Sequence, residues 1–542
     1  MRKTVAPFGL AGDRLNLLVN GRATAPFEHI PEPDGLIDLN DIPTALDDRM
    51  YIVAGPTGML FGGAHPFASL VTFPDEPSDD GPSTAIFHDK GSYNYNFTRG
   101  RYSRRFKSGR EIDMLVSYRN TLGMLTPGRS DDAYHYYGDM YFPLSRSIGL
   151  RTEGRLYDRN GYFVVQPATG NAPVYRSRID RSLNLSLDRH NEDHTSRTEI
   201  GYNHLRQGST VSGDYAASFN YTGNGMAASR EWLSGERMLK AEVSGNYLSY
   251  DNGYGEFTRW EIDGAMSLVS MGSGLRHAIT AGTRYVQEYR FLPHAAAVMM
   301  IEREKLLVSL SVGYSEKAPS LHERYLPYKR IDLYNMVNSL YIEVGRELLV
   351  SEKRLVGNAA IELGSTTNNF KINATVGRVW DGIDWQHRHL PDNEGTSTVF
   401  SPINDDISFF DLSGGPQISV GDALTVLAGG AYHYIDYENH PERAYQPEFQ
   451  FFSGGELHLY WSQRLLHLYA YGELVYAGAH TGYMGEALGE VVMANVKLSF
   501  RIKNFRFHYV FQNALGNEFH VREGTTNPGR YNYYGITWDF FD

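Results

Sequence analysis

From about residue 90 to the end of the chain, apolar residues recur at every second position. Tyr93, Tyr95 and Phe97 share one parity, and Ile112, Met114, Val116 and Tyr118 share another after the polar stretch Lys107–Arg110. Leu183, Leu185 and Leu187 lead into the polar tip Asp188–His194. Trp260, Ile262, Met266 and Leu268 run up to Ser270–Gly274, and Leu275, Ile279, Ala281 and Tyr285 resume beyond it. The same rhythm links Leu457, Leu459 and Trp461 to Leu466, Leu468, Ala470, Leu474 and Tyr476. It also links Leu498, Phe500 and Ile502, across Lys503–Asn504, to Phe505, Phe507, Tyr509 and Phe511. In the final run, Tyr534, Ile536, Trp538 and Phe540 face one way.

A period of two places these side chains on one face of a strand and Ser, Asn, Arg, Glu and His on the other. Very short turns alternate with long polar segments between the runs, which predicts antiparallel neighbours. Several runs reach about ten residues, longer than the roughly 5–6 of an ordinary strand and enough to cross a bilayer when tilted. Hydrocarbon offers no partner for an open sheet edge, so such strands must close into a barrel. Tyr and Trp near strand ends are expected at the two interfaces. A transmembrane barrel is therefore favoured over a soluble β protein.

Residues 1–77 read differently. Leu15–Arg22 is a short apolar strand closing on an Asn-Gly turn. Asn40 or Asp41 is placed to cap a helix with Pro43 in its first turn. A strand from Met50 to Val53 then ends at Gly55–Pro56. This small α/β segment precedes an all-β segment, 78–542, and the boundary falls in the acidic, Pro- and Ser-rich stretch Pro74–Ser83.

Composition sharpens this picture. The 542 residues hold 38 Tyr and 27 Phe, yet the net charge is −12 and mean hydropathy is −0.40. Abundant aromatics at low hydropathy fit strands with one greasy and one wet face. No basic run is long enough to track phosphates, so nucleic acid is not an expected partner; Arg104, Arg105 and Lys107 flank a turn. The chain has no cysteine, which excludes thiolate metal sites, a catalytic thiol and disulfides. No apolar run is long enough for a transmembrane helix, and no signal-peptide core is visible. Gly-x-Ser-x-Gly and His-Glu-x-x-His are absent, and Asp47–Asp48 and Asp405–Asp406 read as turn residues, so an enzyme is not expected.

Tyr51–Phe73 is rich in glycine, which invites a nucleotide reading. A phosphate loop needs a Lys-Ser/Thr pair opening a helix, and the stretch supplies none. It reads instead as a tight hairpin. With Leu17–Arg22, Ile42–Pro43, Met50–Pro56, Leu60–Gly62 and Leu70–Thr72, it resembles the second half of the plug domain of TonB-dependent outer-membrane receptors. Asn20, Ala54 and the stretch His65–Ser69 depart from the family pattern. Tyr314–Tyr328, Glu347–Gly364 and the ending Phe511–Phe519 with Asn527–Phe540 are similar to three further family motifs, in the family's order. The positions that carry the resemblance are Gly55, Pro56, Gly62, Pro319, Glu352, Gly529 and Phe540.

The resemblance implies an all-β fold: an antiparallel barrel of about 22 strands in the bacterial outer membrane, with a partial N-terminal α/β plug. It implies import of a scarce nutrient (siderophore-bound iron, cobalamin or another metal chelate) with no catalytic residues and no resident cofactor. The nutrient binds extracellular loops and plug, and the TonB–ExbB–ExbD complex then pulls the plug. Relative to the family pattern, the signal peptide, the TonB box and the first half of the plug are missing. The alternative expectation is a passive pore or an inactive receptor fragment. Candidate ligand residues are Thr57, Met59 and His65 at the plug turns, and Trp385, His387, Arg388 and His389 in a segment read as an extracellular loop. His387 and His389 share a face if that segment is extended, although a solvated histidine pair is the simpler reading. His322 suggests haem, but the family's haem-uptake members carry their histidine further along that loop, and 323–350 holds none.

Overall fold

The computed structural model describes all residues except 1–3, 6–14, 20–21, 24–36, 39–48, 62–65, 74–80, 123–129, 165–172, 192–193, 212–216, 254, 326–348, 366, 393–394, 440–446, 462–464, 482–486, 523–524, 528 and 542. The predicted helix near Pro43 lies outside the described residues.

Among the described residues, 22 strands follow one another in a closed antiparallel barrel. The last strand, Tyr531–Phe541, closes it against the first, Ser83–Gly91, with Phe540 opposite Thr84. Sequence neighbours are spatial neighbours all the way round, as alternating short and long connections require. At the end where Ser83 begins and Phe541 stops, turns are tight. Gly235–Glu236 joins Ala217–Ser234 to Arg237–Asp251, and Lys503–Asn504 joins Ala487–Ile502 to Phe505–Gln512. Gly235 and Lys503 take positive φ there, 55° and 50°, as tight hairpin turns demand. The opposite end carries the long connections, above all the one from Leu306–Lys317 to Glu352–Gly364. Short turns at one rim and long loops at the other are the asymmetry of an outer-membrane barrel.

The period of two separates outside from lumen. On the strand Glu256–Ser270, Trp260, Ile262, Met266 and Leu268 are 56%, 52%, 58% and 51% exposed, whereas Arg259, Glu261, Ala265 and Ser267 are at most 8% exposed. The outer face is an apolar band, and the inner face is mostly polar and buried. Inside, charges pair across strands: Arg101 with Asp113 at 2.9 Å, Arg105 with Glu111 at 2.7 Å and Arg159 with Asp131 at 2.8 Å.

Ahead of the barrel, Arg49–Ala54 lies antiparallel to Ala68–Phe73, which runs parallel to Leu15–Val19. Arg22–Ala23 completes this four-stranded sheet by pairing antiparallel with Leu18 and Val19. The strand expected from Met50 to Val53 is thus one residue longer at each end.

Candidate functional site

Between Arg49–Ala54 and Ala68–Phe73 the chain forms a short 3-10 turn, Gly55–Phe61, which packs against the inner barrel wall. Gly55 sits at φ 71°, a conformation costly for any residue with a Cβ. Its amide donates to Phe67 O at 2.6 Å. Close approach also requires glycine: a Cβ at Gly55 would lie 2.5 Å from Asn358 Cβ on the wall. Asn358 is held by its own amide, which donates to Asn373 Oδ1 and Thr375 Oγ1, both at 2.8 Å. The wall reciprocates at Gly313, where a Cβ would meet Pro56 Cβ at 2.7 Å and Met59 Sδ at 3.1 Å.

Phe67 drives the second contact. It is fully buried with Val356, Val379, Ile407, Phe409 and Ile435 of the wall, and its ring centroid lies 5.5 Å from that of Phe409. Burial of such a ring contributes about 1.5–3 kcal/mol. The Arg354 guanidinium stands 5.2 Å over the same ring. Arg354 donates to Glu352, and the second carboxylate oxygen of Glu352 accepts the Ile383 amide at 2.8 Å. Both side chains of this ion pair are fully buried. Charges this deep persist only when paired and hydrogen-bonded.

At the loop end of the lumen, the chain leaving Leu306–Lys317 folds inward instead of outward. Pro319 O accepts from Arg259 Nη1 at 2.6 Å. Ser320 and Glu323 form a reciprocal cap: the Ser320 amide donates to Glu323 Oε2 at 2.6 Å, and the Glu323 amide donates to Ser320 Oγ at 3.0 Å. This capping box opens the single turn Leu321–Tyr325. Leu321 buries itself among Leu205, Tyr221, Leu248 and Tyr250. Tyr325 stacks on Phe257, with centroids 3.9 Å apart and planes 7° off parallel. His322 Nδ1 lies 3.2 Å from Tyr250 OH.

Burial, reinforced by the nearby Arg176 cation, pushes the His322 imidazole down to about 3. The unfolded ring, near 6.5, therefore takes up its proton first as pH falls. This contribution to docking is fully present above the unfolded value and is lost progressively as pH drops toward the folded one. Amide protection of 318–325, corrected for intrinsic exchange rates, is expected to be lower at about pH 4.5 than at neutrality. His322→Phe is expected to flatten that dependence.

The sequence-derived candidates fare unequally. Pro56 and Met59 are buried against Gly313, so they fasten the turn to the wall. Thr57, between them, is half-buried. Gly62 and His65 lie outside the described residues. The segment holding Trp385, His387, Arg388 and His389 is corrected from loop to strand: Asn369–Asp392 is one strand that pairs with Gly395–Val420, with a register shift between Val379 and Gly382. The physical reason is that the backbone ladder continues past the polar composition, with His387 opposite Phe400 and His389 opposite Thr398. The side chains of these four residues lie outside the described set. Pro319 and Glu352 hold the contacts given above; Gly529 lies near Gly516, and Phe540 lies in the closing strand.

Sequence reasoning missed Gly313, Asn358, Phe67 and Arg354. A signal existed for Gly313, because glycine inside a strand marks close backbone approach. Among the described residues, no group of three or more His, Asp or Glu side chains is arranged to hold a metal ion.

No family model matches the chain, and no curated protein matches it. Solved structures do. The copper transporter OprC superimposes with a TM-score of 0.76 at 12% identity, covering 99% of this chain and 94% of that one. The siderophore receptor PirA from Acinetobacter baumannii gives 0.76 at 9% identity, covering 99% and 94%. A variant of the ferric enterobactin receptor PfeA from Pseudomonas aeruginosa gives 0.75 at 12% identity, covering 98% and 91%. At such identities the likeness is one of fold, and it extends over nearly the whole length of each chain.

Proposed function

We propose that this protein is a TonB-dependent receptor of the bacterial outer membrane that imports a scarce nutrient, in the class of siderophore-bound iron or another metal chelate. Residues 1–77 then act as plug and 78–542 as barrel. The observation that carries the reading is the turn Gly55–Phe61 and Phe67 seated on the inner wall of a closed barrel. A barrel blocked by its own N-terminal segment has no use as an open pore, and it suits a path opened on demand. Solute binds at the loop rim and plug, and the TonB–ExbB–ExbD complex supplies the pull. The copper and siderophore roles in the names of the similar structures favour a metal-bearing cargo. Binding and release need no covalent step, so no catalytic group is assigned.

Growth of a strain lacking this gene tests the reading, with ferric siderophores, copper and cobalamin supplied one at a time as the limiting nutrient. Loss of growth on one of them, restored by the gene only when TonB is present, is expected. Uptake that continues unchanged without TonB would contradict the proposal.

A further inference from the structure

The outer, apolar face of the barrel is not uniformly filled. On the neighbouring strands Leu306–Lys317, Glu352–Gly364 and Asn369–Asp392, register gathers small residues. Ala359 pairs with Ala374, and Gly357 lies between Val312 and Val376. Ala297, on Arg290–Arg303, stands opposite Val312. These residues floor a groove of about 680 Å³, walled by Leu310 and Val312 on one side and by Val376 and Phe410 on the other. The four wall residues are 43%, 49%, 58% and 38% exposed, so the groove opens outward and not into the lumen. Glycine and alanine are poor strand formers, and a glycine inside a strand marks a place where something approaches closely. Crowding within the protein does not demand one at Gly357: a Cβ there would meet Val376 Cγ1 at an ordinary 3.7 Å.

The groove belongs to the leaflet at the tight-turn end of the barrel. Ala297 lies six positions from Arg303 on one strand, which is about 20 Å along the strand and about 14 Å across the membrane at a tilt near 45°. One leaflet of hydrocarbon is about 15 Å deep. A chain lying in the groove therefore brings its headgroup to the turn Glu304–Lys305. Arg303, Glu304 and Lys305 alternate in sign there. Among the described residues none of these three is in an ion pair, whereas the adjacent Arg276 and Glu302 pair at 2.7 Å. An acyl chain on a smooth wall is touched along one side, but in a groove it is touched on three, and each contact adds dispersion attraction. We propose that this groove holds one acyl chain of a phosphatidylethanolamine-type phospholipid, with its phosphate between Arg303 and Lys305 and its ammonium against Glu304. An anionic lipid without the ammonium would leave Glu304 facing a like charge. The site requires a barrel in a bilayer and is independent of import and cargo.

Native mass spectrometry of the purified full chain in detergent, titrated with dipalmitoyl phosphatidylethanolamine, tests it. A single tightly held lipid is expected to saturate before further lipid adheres. Gly357→Leu and Ala374→Leu fill the groove, and each is expected to weaken that lipid about tenfold or more; either serves where the other fails to fold. Replacing both cations, Arg303→Gln with Lys305→Gln, is expected to weaken it about fivefold, and dipalmitoyl phosphatidylglycerol to bind about fivefold less tightly than phosphatidylethanolamine. Ala228→Leu adds the same bulk at an exposed outer position on Ala217–Ser234 and is expected to change nothing. Adhesion without saturation, wild-type affinity in the folded groove-filled variants, or an equal loss in Ala228→Leu would overturn the proposal. So would indifference to removal of the two cations or equal affinity for phosphatidylglycerol.

Discussion

Arg354→Ala is expected to destabilise the protein by about 3–5 kcal/mol, read as a lower urea midpoint and a lower temperature of heat-modified gel migration. Arg354 and Glu352 form an ion pair with no exposed surface on either side chain. Removing the guanidinium leaves Glu352 with the Ile383 amide but without this charged partner. It also strips the cation from the face of Phe67. The loss of a buried partner costs more than the pair itself contributes, because the remaining carboxylate stays desolvated. A second change, Glu352→Gln, is therefore expected to restore part of the loss in the Arg354→Ala background. An unaltered midpoint in Arg354→Ala, or a double variant less stable than the single one, would show that this pair does not hold the hairpin to the wall.

The second large effect concerns passage through the barrel. Gly313→Val is expected to unseat the turn Gly55–Phe61, because even the first carbon of a side chain would meet Pro56 Cβ at 2.7 Å. Neither neighbour yields easily: Pro56 is a rigid ring, and Met59 behind it is 2% exposed. A barrel whose blocking hairpin has moved aside should conduct. In planar bilayers the variant is expected to show discrete openings where the wild type is silent, and cells carrying it should admit large antibiotics. Gly100→Ala is the control, since a Cβ there meets nothing within 4 Å. A folded Gly313→Val barrel as silent as the wild type would place the block elsewhere in the lumen.

The barrel was legible in the sequence because its signal is repeated. Each strand writes the same alternation, and a misread residue in one run is corrected by the next. Lys503–Asn504 as a turn, and Tyr534 and Trp538 on an outward face, follow directly from parity; the two aromatics are 54% and 47% exposed. The N-terminal hairpin was legible for a different reason, through the Gly55–Pro56 turn and its resemblance to a family pattern. What escaped was whatever depends on two distant segments meeting. Nothing near Phe67 indicates that it will sit against Val356, Val379 and Phe409, because lumen packing has no period along the chain. The stretch His65–Ser69, a departure from the family pattern, is the one that supplies Phe67. The length of Asn369–Asp392 was missed because polar composition was read as loop, whereas a strand that leaves the bilayer keeps its ladder and changes only its outward residues.

The separation of a lipid-facing exterior from a polar lumen underlies every conclusion above, and site-directed spin labelling along Glu256–Ser270 measures it. The chain has no native cysteine, so single cysteines can be introduced one position at a time in a protein reconstituted into bilayers. Labels at positions 260, 262, 266 and 268 are expected to collide with dissolved oxygen, and labels at 259, 261, 265 and 267 to be shielded from it. Uniform access along the strand, or oxygen contact at the second set, would contradict a sealed barrel in a membrane.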